Sequence, residues 1–446
     1  MSQLEVRSRP ELLRVLGLAF GLAVVVGGVV GQGILRGPGI VAAAVPDESM
    51  ILLLWIVGGA LSCITAFAWV ELATSVARAG GPYVFVGKAF GPFAGTLIGW
   101  VDWLQGPVII SYLSVVFAEY VHRLGVLSAV PQGAIAVSLI AVVTAINWTG
   151  TRTSGHAQEI GSAVKGLGLL FLVGFIFAAP AASEDLTPKA SPALTIGAVV
   201  IALRMIQNTY AGWNTAAYFC EELREPERNI ARSMFGGIAL VTLLYVLIVA
   251  AMLHVLTPQQ MAASTLPAAD ALGAALGPRA SIVVNILALV SLAAIANLYP
   301  MYLSRIGFAM ARDGVLPAVI ARVSPSGTPR VALGVTTCMA AALAAFGTYE
   351  QLIAITVPLT LSLDIAVNAA AITVRLREPD LPRPFRMPLF PAPAIVGLVL
   401  NGLLLAAVIY EDTVNSLLGL LAVAAIGLLY MTRAVLERRR TIRAVP

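Results

Sequence analysis

Twelve apolar stretches, each near the ~20 residues a helix needs to cross a bilayer, divide this chain almost from end to end. They run over 12–44, 50–76, 90–120, 130–148, 157–179, 195–220, 236–256, 281–310, 331–347, 351–374, 391–410 and 415–433. Composition agrees with lipid as the solvent. A water-soluble domain carries about 25% charged residues, whereas here 11% are charged and 59% apolar, with a mean hydropathy of +0.90. Such a chain in water would expose more apolar surface than water tolerates. The expectation is an all-α membrane protein of twelve transmembrane helices, one domain over residues 1–446 with short tails. The basic segment before Leu12 passes into a long apolar run with no small-residue cleavage site, which reads as a retained first span. The third and eighth stretches are long, which predicts strong tilt.

The basic residues set the expected orientation. Twenty-two of the 28 Lys and Arg fall on one set of alternate loops or at the helix ends that border them; only Arg123, Lys189 and Arg279 fall on the other, and Arg36, Lys165 and Arg204 lie well inside spans. Alternation of this kind places both termini in the cytoplasm of a multi-pass protein of the cell membrane. It also accounts for the net charge of +5 without nucleic acid, since these residues face anionic lipid. Glu71 and Glu159, near cytoplasmic helix ends, are expected to pair with Arg78 and Arg152. The polar, alanine-rich outer loop Thr257–Arg279 is expected to form a short surface helix. Cys63, Cys220 and Cys338 read as small apolar filler. His122, His156 and His254 lie near loops without metal spacing, so no metal site, cofactor or enzymatic constellation is expected. No pore-lining filter marks a channel.

A membrane helix must satisfy its own backbone hydrogen bonds, so glycine clusters in mid-span carry information. The first span holds Gly27, Gly28, Gly31, Gly33, Gly37 and Gly39 with Pro38, which predicts an unwound centre. The sixth span carries Tyr210-Ala211-Gly212-Trp213-Asn214 at its centre, after Gln207, Asn208 and Thr209. These two spans correspond if residues 11–180 and 190–378 are five-span repeats, which an odd span number makes inverted, followed by two further helices over 390–435. Paired interrupted helices in inverted repeats point to a transporter's substrate site at the midplane. Unwinding frees N–H groups for a carboxylate and carbonyls for an ammonium, as a zwitterionic amino acid requires.

At these residues the chain resembles the amino acid–polyamine–organocation transporter superfamily, in particular its amino-acid permeases. Gly31-Gln32-Gly33-Ile34-Leu35 is similar to the family's Gly-Ser-Gly-Ile-Phe motif. Gly80-Gly81-Pro82-Tyr83, Gly212-Trp213-Asn214 with the following Glu222–Ile230, Ala309–Pro317 and Asp380–Arg386 resemble four further family segments in family order. The resemblance implies a LeuT-type 5+5 inverted repeat with broken helices 1 and 6, working by alternating access. It implies a substrate site in which Gly31, Gln32 and Gly33, beside Ile34, hold a carboxylate. Tyr210, Ala211 and Gly212 carbonyls would hold the amine, with Trp213 and Asn214 near the gate. Gln32 stands where the family has serine, so its longer side chain either crowds the carboxylate or donates to it.

Ionisable groups at the bilayer centre cost at least about 2.5–3.5 kcal/mol each on insertion scales, which invites a functional reading. Five lie well inside spans: Arg36, Asp102, Lys165, Arg204 and Asp364. Lys165 stands where sodium-coupled relatives of the superfamily bind a cation, and is read as the candidate proton site; the proton is thus preferred to sodium as coupling ion. Its alternative is a permanently charged lysine propping the first span. Arg36 and Arg204 are expected to line the outer approach, and Arg36 with Asp364 to form an outer gate or a static pair. Unpaired arginine would favour an acidic substrate, and unpaired aspartate a basic one. The resulting expectation is a proton-coupled amino-acid symporter. The alternatives are an amino-acid exchanger, a polyamine or organic-cation transporter, and a membrane nutrient sensor built on the same site. No feature of the sequence marks an oligomeric state.

Overall fold

The computed structural model describes residues 11–181, 195–346, 349–421 and 423–427. The tails and Lys189 lie outside these residues. The described chain is helical throughout: α1 (Leu18–Val29), α2 (Gly33–Ala44), α3 (Glu48–Ser75), α4 (Pro82–Phe90), α5 (Pro92–Arg123), α6 (Gln132–Thr149), α7 (Thr151–Phe177), α8 (Ile196–Tyr210), α9 (Pro226–Val255), α10 (Pro258–Ala263), α11 (Pro267–Leu276), α12 (Ser281–Arg312), α13 (Arg330–Phe346), α14 (Tyr349–Arg377) and α15 (Ala392–Glu411). A 3-10 segment, Trp213–Phe219, continues α8 after a break. Among the described residues eight helices are long and apolar enough to cross a membrane, nine if α1 and α2, bent by 47°, make one broken span. Helix α13 and a helix over Thr413–Gly427 are shorter and apolar. The molecule is therefore a multi-span membrane protein.

Local chemistry explains where helices begin. The Asp47 carboxylate accepts from Met50 N at 2.7 Å to start α3, and Thr195 Oγ1 accepts from Ala198 N at 3.1 Å to start α8. Proline, which has no N–H to leave unsatisfied, opens α4, α5 and α9. The turn between α6 and α7 is Gly150, at φ +152°.

Burial separates interior from peripheral helices. In its most apolar window α5 is 78% buried, against 22% for α15, so α5 is an interior helix and α15 presents itself to lipid. The two 32-residue helices α5 and α12 pack along each other, α9 packs on α1 and α3, and α7 packs on α1 and α12. The broken spans thus sit inside a cage of long, continuous helices.

Three sequence expectations need correction. Residues 77–89, which the apolar stretches leave as a loop, contain most of a helix, α4, set up by Gly80 (φ +116°) and Gly81 (φ +52°). The outer loop forms two short helices, α10 and α11, parted near Ser264. The acidic residues near helix ends choose other partners than their sequence neighbours. Glu71 pairs with Arg375 (3.0 Å) and Arg383 (3.3 Å) and accepts from Met387 N. Glu159 meets His156, and Arg78 meets Asp313. A helix end is crowded by residues distant in sequence, and hydropathy carries no information about them.

Candidate substrate and coupling site

Helix α1 stops at Val29 because Val30 adopts an extended conformation (ψ 101°), and α2 restarts at Gly33. Helix α8 stops at Tyr210; Ala211 is extended and Gly212 takes the left-handed φ of +108°, which glycine alone tolerates freely. The two breaks touch. A methyl group on Gly28 would lie 2.9 Å from the Gly212 carbonyl oxygen, and one on Gly212 would lie 2.7 Å from the Gly28 carbonyl oxygen. Bare backbone meets bare backbone, and a side chain at either position would force the helices apart.

Carbonyls released by the first break find partners on neighbouring helices. The Lys165 ammonium, on α7 and fully buried, donates to Gly27 O and, at 2.8 Å, to Val30 O. A cation is favoured there, because carbonyls at the C-terminal end of a helix carry partial negative charge. The Tyr245 hydroxyl, from α9, lies 3.0 Å from Val29 O and 3.2 Å from Thr209 O, so its one proton is shared between both broken spans. Ser162 Oγ donates to Ala23 O at 2.7 Å. Beside it, Gln158, Asn297 and Asn147 form a buried amide chain, Asn297 Nδ2 to Gln158 Oε1 at 3.1 Å and Asn147 Nδ2 to Asn297 Oδ1 at 2.9 Å.

The residues named from the two motifs divide by accessibility. Gly31, Gln32, Gly33, Gly212 and Asn214 are half-buried, Ala211 is exposed, and Ile34, Tyr210 and Trp213 are buried. Gln32 does not cap α2 with its side chain, and its Oε1 has no hydrogen-bond partner among the described residues. The Tyr210 side chain turns away from the break, donating its hydroxyl to Trp55 O at 3.1 Å.

Beyond the second break lies an aromatic and acidic network. Trp213 packs edge-to-face on Trp69 (6.1 Å), whose Nε1 donates to Asp364 Oδ1 at 3.1 Å. Tyr218 lies 6.3 Å from Trp69 and donates its hydroxyl to Asp102 Oδ2 at 2.9 Å. Gln105 donates to Asp102 Oδ1 (3.2 Å) and accepts from Thr360 (2.8 Å). Asp102 and Asp364, 262 positions apart in sequence, thus meet one continuous set of partners, and neither forms an ion pair among the described residues.

The two arginines stand apart from this network. Arg36 donates to Thr265 O (3.4 Å), in the loop between α10 and α11, and Arg204 pairs with Glu411 at the end of α15. The expected Arg36–Asp364 pair is not formed. Both residues lie inside spans, but depth says nothing about the direction a helix face points. Sequence reading also missed Tyr245 and the amide chain. A tyrosine or asparagine in an otherwise apolar span gave no motif, only a polar atom needing a partner.

On the other side of the breaks the start of α1 is stitched to the segment after the 3-10 turn. Leu16 N donates to Glu222 O (3.0 Å), and Arg224 N donates to Leu16 O (2.8 Å). Glu222 forms a fully buried bidentate pair with Arg305 (2.7 and 2.8 Å), joined by Thr151. Arg305, counted from the sequence among loop charges, is an interior residue of α12 and 1% exposed.

Many apolar spans, two of them broken side by side with polar main chain turned toward each other, make the architecture of a membrane permease. The chain belongs to the amino acid permease family, whose profile matches residues 11–431. Among similar proteins, the serine/threonine exchanger SteT of Bacillus subtilis (strain 168) is 26% identical over 92% of this chain and 94% of its own length. The b(0,+)-type amino acid transporter 1 of Mus musculus is 28% identical over 90% of this chain and 84% of its own. The large neutral amino acids transporter small subunit 2 of Homo sapiens is 28% identical over 92% of this chain and 78% of its own. The chain is a transporter and not an enzyme.

Proposed function

We propose that this protein is a secondary active transporter that carries amino acids or close analogues by alternating access. In this reading it has twelve spans, a LeuT-type 5+5 inverted repeat plus two C-terminal helices, in the cell membrane with both termini cytoplasmic. The observation that carries the reading is the contact between the breaks at Gly28 and Gly212. There the N–H groups that open α2 suit a substrate carboxylate, and the carbonyls that end α8 suit its ammonium. Gln32, with an unpartnered Oε1 beside the break, is free to turn its amide toward the substrate.

Lys165 is the proposed proton site. It is buried, forms no ion pair among the described residues and holds two carbonyls at the end of α1. Loss of its proton would weaken that hold and loosen the broken span. The ammonium occupies the carbonyl cluster a metal cation would use, which favours proton over sodium. Exchange is the second reading, supported by SteT, named a serine/threonine exchanger. Proteoliposomes separate the two. Net uptake of labelled amino acids driven by an inward proton gradient supports symport; uptake only into vesicles preloaded with amino acid supports exchange. Lys165→Ala is expected to abolish gradient-driven uptake and spare counterflow. Absence of any saturable uptake or counterflow across the full set of amino acids would sink the transport reading in favour of a sensor.

A further inference from the structure

Outside the substrate region the molecule contains a basic cavity of about 300 Å³ whose lining includes Leu16, Gly17, Arg152, His156, Glu159 and Arg224. Positions 152, 156 and 159 share one face of α7, and Arg224 is held beside Leu16 by the backbone bond described above. The only carboxylate in the lining, Glu159, is engaged by His156 at 3.0 Å. The guanidinium groups of Arg152 and Arg224 make no hydrogen bond or ion pair among the described residues. Two positive helix ends add to this. Arg152 lies in the first turn of α7, the end where a cation is disfavoured, and Gly17 leaves the start of α1 without a side-chain cap. Both arginines are exposed and solvated, and with Glu159 engaged by His156 they leave the lining net positive and open to an anion.

The surroundings identify the anion's carrier. About a quarter-turn round α7 from this face, and starting next to Glu159, runs an exposed apolar stripe of Ile160, Val164, Leu167 and Phe171. Acyl chains lying on that stripe would bring their headgroup to the cavity. We propose that the cavity binds the phosphate of an anionic phospholipid from the leaflet on this face, the cytoplasmic one in the orientation argued above. Because Leu16 and Arg224 line it, a bound headgroup clamps the start of α1 to the segment that follows the 3-10 turn. The proposal rests on the membrane reading of the fold and is independent of which solute is carried.

Binding is tested without transport, by thermal unfolding of the purified protein in detergent with short-chain phosphatidylglycerol, short-chain phosphatidylcholine or inorganic phosphate. Phosphatidylglycerol is expected to raise the midpoint, and phosphatidylcholine at equal concentration to leave it unchanged. Each surface arginine contributes about 1 kcal/mol to such binding. Arg152→Gln and Arg224→Gln are therefore expected to weaken the apparent affinity about fivefold each and about thirtyfold together, with Arg152→Lys near wild type. Inorganic phosphate stabilising as strongly as phosphatidylglycerol would assign the cavity to a soluble anion and overturn the lipid proposal. An undiminished phosphatidylglycerol response in the double variant would overturn the site itself. Should that variant fail to fold, the wild type still decides: a response unchanged between low and high salt contradicts a charge-held headgroup.

Discussion

Glu222 shows at the scale of one residue why charge in this protein is so consequential. It is fully buried, and both carboxylate oxygens are used by Arg305, which also reaches Met301 O, Ser304 and Thr151. Breaking a buried pair by removing one partner costs about 3–5 kcal/mol, because the remaining charge is left in a low dielectric. Glu222→Gln is expected to lower the unfolding midpoint strongly, and adding Arg305→Met to recover most of the loss. A single variant as stable as wild type would show that the pair is not held dry. The exposed Arg204–Glu411 pair is worth about 0–1 kcal/mol by contrast, and Arg204→Gln should leave stability unchanged. Tyr245 makes a different point. Its hydroxyl is the only group seen to bridge the backbones of both broken spans among the described residues. Tyr245→Phe keeps the ring packed on Trp55 and Tyr210 and removes one shared proton. About 1–3 kcal/mol of stability should go with it, together with part of the uptake rate; a variant matching wild type in both measurements would deny it a bridging role.

At the scale of the element, the two breaks decide what the helices can do. Gly212 is constrained twice, by its φ of +108° and by the Gly28 carbonyl 2.7 Å from where a Cβ would sit. Gly277 has a similar φ of +90° with open space around it. Gly277, with ψ 168°, lies in a region that glycine alone visits readily, so Gly277→Ala should cost about 1–3 kcal/mol of backbone strain and leave uptake intact. Gly212→Ala must also part the two spans and is expected to abolish uptake; equal effects of the two substitutions on uptake would remove the special status of the contact. This contrast marks what was legible in the sequence. Glycine clusters and ~20-residue apolar runs report backbone conformation directly, so both breaks and most helix positions could be read, though α9 begins at Pro226, ten residues before its apolar stretch. Azimuth could not. Hydropathy locates Arg36 and Asp364 along a helix axis without saying which neighbour each faces, and the loop carrying Thr265 claims Arg36. Helix α4 was missed because its glycine and proline opening reads as a turn, when here it is the cap that starts a helix.

Over the whole molecule, the two sides of the breaks are fastened differently. On one side the fastenings are multiple: the Leu16–Leu223 bridge, the buried Glu222–Arg305 pair, and half-buried Glu221 held by Arg312 and by Ala79 N. On the other, Arg36 makes one long hydrogen bond to a loop carbonyl and Arg204 one exposed pair. If transport proceeds by alternating access, the tightly fastened side must release once per cycle, and the start of α1 is a short piece whose release would open it. It is joined to the Leu223 segment by two backbone hydrogen bonds and by the packing of Phe20 on Phe219 (5.1 Å). That gives a direct test in a background lacking Cys63, Cys220 and Cys338. Bridged residues lie about 4.8 Å apart, within the roughly 4.4–6.8 Å between Cα atoms that a disulfide spans. Leu16→Cys with Leu223→Cys should therefore cross-link on mild oxidation. Uptake by proteoliposomes should stop when the link forms and return on reduction, while each single variant transports in both conditions. A link that forms fully and leaves uptake unchanged would mean that α1 stays seated through the cycle, and the opening movement would then have to be sought among the helices that surround it.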